Sequence, residues 1–336
     1  KPVISLSQNE CLRPPSPAAL EAAARAVKDG ALYPDPNWQP LRGALADLHN
    51  LHPAQVVCGA GSLDLIASLA RVYAGPGRAV LAPRNAYPFF RTSAQMANAR
   101  FDTADETDFT ASVDALIAAV APDTALVFIA NPGNPTGTRL AGAELRRLRA
   151  ALPDNILLVV DEAYGEFADH LGETCLDLIA DGNTVVLRTF SKAYGLAGLR
   201  VGWGAFPAAI AAEVQKALNP SNLSGPAQAA AFAALQDQDY MRDTCNLTAR
   251  LRSETVDRLR AIGLAPVQSL TNFILIDFQD TDAAHSADAA LRSEGIFLRP
   301  QGGAGLPQCL RMTIAGQPAL AAATEVLAHW KGQVPG

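Results

Sequence analysis

Apolar residues along this chain fall into short, β-branched runs, separated by stretches in which they recur every three or four positions. The runs at 79–82, 125–130, 156–160 and 184–187 are almost wholly apolar, as strands covered on both faces would be. Between the last three lie helical patterns at 140–152 and 175–180, of the length that a crossover connection needs. Strands joined in this way are parallel, so their carboxyl ends share one side of the sheet. The pattern predicts an α/β fold with a mostly parallel sheet in three layers, helices lying on both faces.

Toward the amino terminus, 3–6 reads as a short strand and 18–28 as an Ala-rich helix after Pro14, Pro15 and Pro17. An amphipathic helix is expected at 41–48, a strand at 56–57 and a helix at 63–73 with Ser62 as its N-cap. A further helix is expected at 114–120. From 207 to 260 the chain is Ala-rich and helical, with a break at 219–222. Beyond it come strands at 272–278, 296–299 and 309–314, a helix at 288–295 and a mobile glycine loop at 302–305. The division expected is a large domain, 30–225, and a small α+β domain assembled from 1–29 and 226–336.

Three of the apolar runs lead into polar groups. The first is followed by Asn131-Pro132-Gly133-Asn134, the second by Asp161-Glu162-Ala163-Tyr164, and the third leads to Ser191-Lys192. Open α/β sheets bind ligands at the carboxyl ends of their strands, so these groups can meet one ligand. Of the five lysines (1, 28, 192, 216 and 331), only Lys192 closes a core strand. An amine held there loses solvation, its pKa falls, and it becomes a usable nucleophile. The glycines at 195, 198 and 202 let backbone pass close by, and Arg200 adds a fixed cation. No G-x-x-x-x-G-K-[ST] surrounds the lysine, which excludes a nucleotide phosphate loop. The turn Gly59-Ala60-Gly61-Ser62 can aim backbone N–H groups at an anion on a helix N-terminus, although such turns are usually plain helix entries. An Asp after an apolar strand is likewise often only a cap.

Composition narrows the class. The 336 residues suffice for a real core, and 49% hydrophobic with 18% charged residues is ordinary globular composition. A net charge of −6 without a basic cluster argues against nucleic acid. No apolar run reaches the ~20 residues of a membrane helix, and no signal-peptide pattern opens the chain. Five scattered cysteines without C-x-x-C fit a reducing cytoplasm and no structural metal.

The stretch from Ser191 to Gly202, Ser-Lys-Ala-Tyr-Gly-Leu-Ala-Gly-Leu-Arg-Val-Gly, resembles the lysine motif of fold-type I pyridoxal-phosphate enzymes. Within them it is most similar to the histidinol-phosphate aminotransferases, and matching stretches recur from Asn9 to Arg311. The resemblance implies that Lys192 is the Schiff-base lysine, that Ser191 and Arg200 hold the cofactor phosphate, and that Gly61, Ser62 and Leu63 form a second phosphate-binding element. The family's acidic pair after the Ser is reduced here to Asp64. Tyr87 would stack on the pyridine ring, Asp161 would keep the ring nitrogen protonated, and Asn134 and Tyr164 would donate to its phenolate oxygen. The family also suggests a cis Asn134–Pro135 bond. Tyr33 would reach a neighbouring subunit's phosphate in a homodimer. Asn9 would stand beside the substrate, although Cys11-Leu12-Arg13 departs from the usual continuation. Arg311 would clamp the substrate's acidic group with Arg299 beside it.

The function expected is transamination between histidinol phosphate and 2-oxoglutarate, with a small-molecule amino donor and a keto-acid acceptor. The rivals are a threonine-phosphate-type decarboxylase, an aromatic amino acid aminotransferase and a non-catalytic pyridoxal-phosphate-binding module.

Overall fold

A computed structural model describes residues 3–333 of the chain. Its centre is a seven-stranded sheet. Across it the strands run Val56–Gly59, Gly202–Ala205, Thr184–Thr189, Leu157–Asp161, Thr124–Ala130, Ala79–Pro83 and Arg100–Ala104. Only Gly202–Ala205 is antiparallel to its neighbours. Six carboxyl ends therefore lie along one edge. The central strands are buried on both faces, which is why they read as unbroken apolar runs.

A second, four-stranded antiparallel sheet joins Ala265–Pro266, Phe273–Asp277, Leu306–Thr313 and Arg299–Gln301 in that order. The amino-terminal pair Ile4–Ser5 lies parallel to Ile296–Phe297, so the first residues are fastened to the last third of the chain. Two main cores follow. The larger surrounds the seven-stranded sheet and also takes in Ala19, Ala227 and Ala231; the smaller gathers Leu6, Leu251, Ile274, Met312 and Trp330.

Several expected elements are redrawn. The helix placed at 63–73 runs Ser62–Tyr73, and its cap is Gly61 at φ 83°, so Ser62 is the first helical residue and not the N-cap. The strand expected at 296–299 splits, because Ile296–Phe297 pairs with Ile4–Ser5 while Arg299–Gln301 pairs with Leu306–Thr313. In the loop expected at 302–305, Gly302–Ala304 form a short 3-10 turn capped by Gly305, held where Asn85 Nδ2 donates to the Ala304 carbonyl at 2.9 Å. The 207–260 stretch makes three helices, Ala208–Ala217, Gly225–Gln236 and Gln238–Ala261, the extra break falling at Asp237. The helix expected at 288–295 begins seven residues earlier, at Thr281, where the Asp280 carboxylate caps it by accepting from Ala283 N.

Candidate active site

The carboxyl edge of the large sheet faces a cleft of about 630 Å³, roofed by Arg299, Gln301 and Arg311 from the small sheet. One end of the cleft is built for an anion. The Ser62–Tyr73 helix points its amino terminus there, and Ser62 and Leu63 line the wall. A Cβ at Gly61 would run into the Arg200 guanidinium, and one at Gly202 would strike the Ser62 backbone. Both glycines therefore follow from close approach. Arg200, itself at φ 56°, donates through Nη1 to Ser191 Oγ at 3.3 Å and to the Ala197 carbonyl at 3.0 Å. Thr189 Oγ1 in turn donates to Ser191 Oγ at 3.0 Å, which fixes that hydroxyl.

The middle of the cleft suits a flat heterocycle. Asp161 ends its strand with one carboxylate oxygen accepting from Ala163 N at 3.1 Å. Burial pushes its pKa up to about 7, so a cationic partner in the cleft would stabilise the ionised form. Tyr164 is buried edge-on against Phe273 at 5.1 Å, and its hydroxyl accepts from Asn9 Nδ2 at 2.9 Å. Burial also raises that phenol to about 12. Asn134 Oδ1 accepts from Arg311 Nη1 at 2.7 Å, which leaves its NH2 group free to donate. Both Asn131–Pro132 and Asn134–Pro135 are cis. Tyr87 lines the side, its ring 5.8 Å from Phe90 and edge-on to it.

Lys192 follows in the same edge, with Nζ donating to the Asn9 carbonyl at 3.0 Å. Burial lowers its pKa to about 8, assisted by the charges of Arg311 and Arg200. An amine in that range is partly neutral near physiological pH. Arg311 lies on the opposite side, with Nη2 donating to the Ser7 carbonyl at 2.9 Å and Nε buried without a partner. Arg299 pairs across the ladder with Arg311 but remains exposed to solvent.

These features accommodate pyridoxal phosphate. The anion end holds two glycine approaches and a guanidinium, and the middle offers the buried Asp161 carboxyl, whose pKa burial raises. Of the residues expected at the site, Asn9, Ser62, Leu63, Tyr87, Asn134, Asp161, Tyr164, Ser191, Lys192, Arg200, Arg299 and Arg311 all line the cleft. Gly61 sits beneath Arg200. Tyr33 is not brought in; it is 93% exposed. Sequence reasoning missed Gln8, Glu10, Phe89, Thr92, Thr189 and Gln301 as lining residues. Gln8 and Glu10 had a signal, their places on either side of Asn9. The others enter through strand and helix ends that pattern does not locate.

The chain belongs to the class I and II aminotransferase family, which its sequence matches over residues 1–323. It is 42% identical over 317 residues to the histidinol-phosphate aminotransferase of Jannaschia sp. (strain CCS1), covering 94% of this chain and 87% of that one. With the Cereibacter sphaeroides (strain ATCC 17023) enzyme of the same name it shares 41% identity, over 98% of this chain and 90% of the relative. The crystal structure of histidinol-phosphate aminotransferase from Sinorhizobium meliloti, in complex with pyridoxal-5'-phosphate, superposes with a TM-score of 0.95 at 32% identity. That match covers 100% of this chain and 92% of the other. The resemblance carried by the 191–202 motif is thereby confirmed, as is the expected α/β architecture.

Proposed function

We propose that this chain is a pyridoxal-phosphate-dependent aminotransferase acting on histidinol phosphate, with glutamate and 2-oxoglutarate as its second pair. The observation that supports it most is the convergence of Lys192, Asp161, Asn134 and Tyr164 on one cleft, with two arginines opposite. When bound, pyridoxal phosphate supplies an electron sink for the pair left on the donor's Cα. Each side chain then has a defined task. Asp161 holds the proton on the ring nitrogen, and Tyr164 and Asn134 donate to the ring's phenolate oxygen. Ser191, Arg200 and the helix start at Ser62 take the phosphate. Lys192 Nζ, partly neutral because burial lowers its pKa to about 8, takes the Cα proton of the donor. Arg311 and Arg299 receive the donor's acidic group. One carboxylate is satisfied by a single guanidinium, whereas a phosphate monoester carries close to two charges. Two arginines thus suit a phosphorylated amine.

Tyr33 is proposed to act in trans, which accounts for its exposure beside the exposed Leu32 and Val27. The working form is then a cytoplasmic homodimer. No helix among the described residues is long and apolar enough to cross a membrane. Mixing Tyr33→Phe with Lys192→Ala subunits tests the shared site: hybrids should exceed either parent in activity, and strictly additive behaviour would exclude it. Incubating the cofactor-loaded protein with histidinol phosphate alone tests the reaction. Stoichiometric conversion to the keto product and the aminated cofactor is expected; release of carbon dioxide from an amino-acid phosphate instead would make it a decarboxylase.

A further inference from the structure

Asn9 lies in the left-handed region at φ 53°, which Asn and Gly adopt readily and Ala resists. Each of its polar groups is engaged by the protein. Its N–H donates to Thr313 Oγ1 at 2.9 Å, and its Oδ1 accepts from the same hydroxyl at 3.3 Å. Its carbonyl accepts from Asn272 Nδ2 at 3.1 Å and from Lys192 Nζ at 3.0 Å. Its Nδ2 donates to the Tyr164 hydroxyl at 2.9 Å. With a 2% exposed side chain so occupied, Asn9 has little left to offer a substrate. It bridges instead: Thr313 and Asn272 of the small sheet's region hold it on one side, and it holds two reactive groups of the large sheet's edge on the other.

We propose that Asn9 is a positioning residue with two separable parts: a left-handed backbone that aims its carbonyl at the Lys192 amine, and a carboxamide that pins the Tyr164 hydroxyl. The assignment rests on Lys192 and Tyr164 facing the cofactor. It explains how the amine is kept in place when it is not covalently engaged. A carbonyl acceptor stabilises the ammonium form, opposing the burial and the Arg311 and Arg200 charges that favour the neutral amine, with Glu10 and Asp161 acting on the same side as the carbonyl.

Two substitutions separate the parts. Asn9→Gly keeps the backbone conformation and removes the carboxamide; Asn9→Ala removes the carboxamide and opposes the conformation. In the full-length cofactor-free chain with isotope-labelled lysine and tyrosine, the titrations of Lys192 and Tyr164 are followed by NMR. Asn9→Gly should leave the Lys192 midpoint unmoved, while Asn9→Ala lowers it by up to about one unit, a tenfold shift in protonation. The Tyr164 midpoint should rise in both, because a donor to the phenolate is lost. Measured at a pH above the Lys192 midpoint of every variant, so that the amine is neutral in each, covalent loading with pyridoxal phosphate should slow roughly tenfold in the Ala variant alone, because its amine is no longer held in place. If the Ala variant does not fold, Asn9→Asp tolerates the left-handed backbone but cannot donate to Tyr164, and an unmoved Tyr164 midpoint there overturns the proposal. Equal Lys192 titrations in folded Gly and Ala variants overturn it as well. Should Lys192→Ala still load covalently, the reading of that lysine fails, whatever Asn9 does.

Discussion

Two buried charges, Lys192 and Arg188, stand back to back at the end of one strand, and they are treated in opposite ways. Asp161 faces the cleft; Glu162, one residue on, turns away toward Arg188. There Arg188 Nη2 meets Glu162 Oε2 at 2.8 Å and Asp169 Oδ1 at 2.8 Å, and Glu166 stands 3.7 Å off. Glu162 also accepts from Cys175 N and Thr174 Oγ1, both at 2.9 Å. Burial works against the Arg188 charge, but the carboxylates around it outweigh that and hold its pKa well above the ordinary range. In the cleft, Asp161 and Lys192 have no such matching. Burial dominates, and their pKa values converge on about 7 and about 8. A charge matched by its neighbours maintains architecture, whereas one left unmatched is held ready for a ligand.

The sharpest way to break this comparison is at the two cations. Lys192→Ala should keep the fold and lose at least roughly a thousandfold in kcat, together with the covalent chromophore. Retained chromophore would remove Lys192 from the centre. Arg188→Met should do the reverse, costing about 3–5 kcal/mol of stability by stranding the buried Glu162, with kcat per folded molecule nearly unchanged. Denaturant unfolding alongside kcat decides it; an intact melting profile would mean that the ionic cluster is not structural.

Asp161→Asn sharpens the contrast within one residue. Its carboxyl pKa is raised from 3.8 to about 7 in the folded chain. The stability it contributes is fully present below about pH 4 and is lost as pH rises through about 7. In the cofactor-free chain the Asn variant should therefore be more stable at pH 8 than the parent, by up to about 4 kcal/mol, and should lack that part of the pH dependence. Its kcat should fall by about two to three orders of magnitude, because an amide cannot hold the ring nitrogen protonated. A parent whose stability is flat between pH 5 and 8 would contradict the first half.

The smallest effect is expected at Arg299, the exposed partner of the pair. Arg299→Gln should reduce kcat/KM for histidinol phosphate about tenfold, one charge-assisted contact, and leave glutamate nearly unaffected. Equal losses for both would make Arg299 structural.

The chain's own pattern determined the sheet and the chemistry of its edge. Apolar runs of strand length, spaced by crossover-length helices, admit one parallel arrangement, and that arrangement puts Asn134, Asp161 and Lys192 on one side. The 191–202 motif did the same for Arg200 and Ser191, because a motif closes over a dozen residues. Contacts between distant segments were decided only in three dimensions. The antiparallel strand Gly202–Ala205 carries no strand assignment in sequence, since its glycines answer to Ser62 and Leu187, which neighbours in the chain do not announce. Arg188 lay just beyond the predicted end of its strand, and its three carboxylates come from segments 19 to 26 residues away. Asn9 meets Lys192 across 183 residues and Thr313 across 304. Periodicity reports which face of an element is buried, but not which remote group will be waiting there, because that depends on how separately formed elements pack.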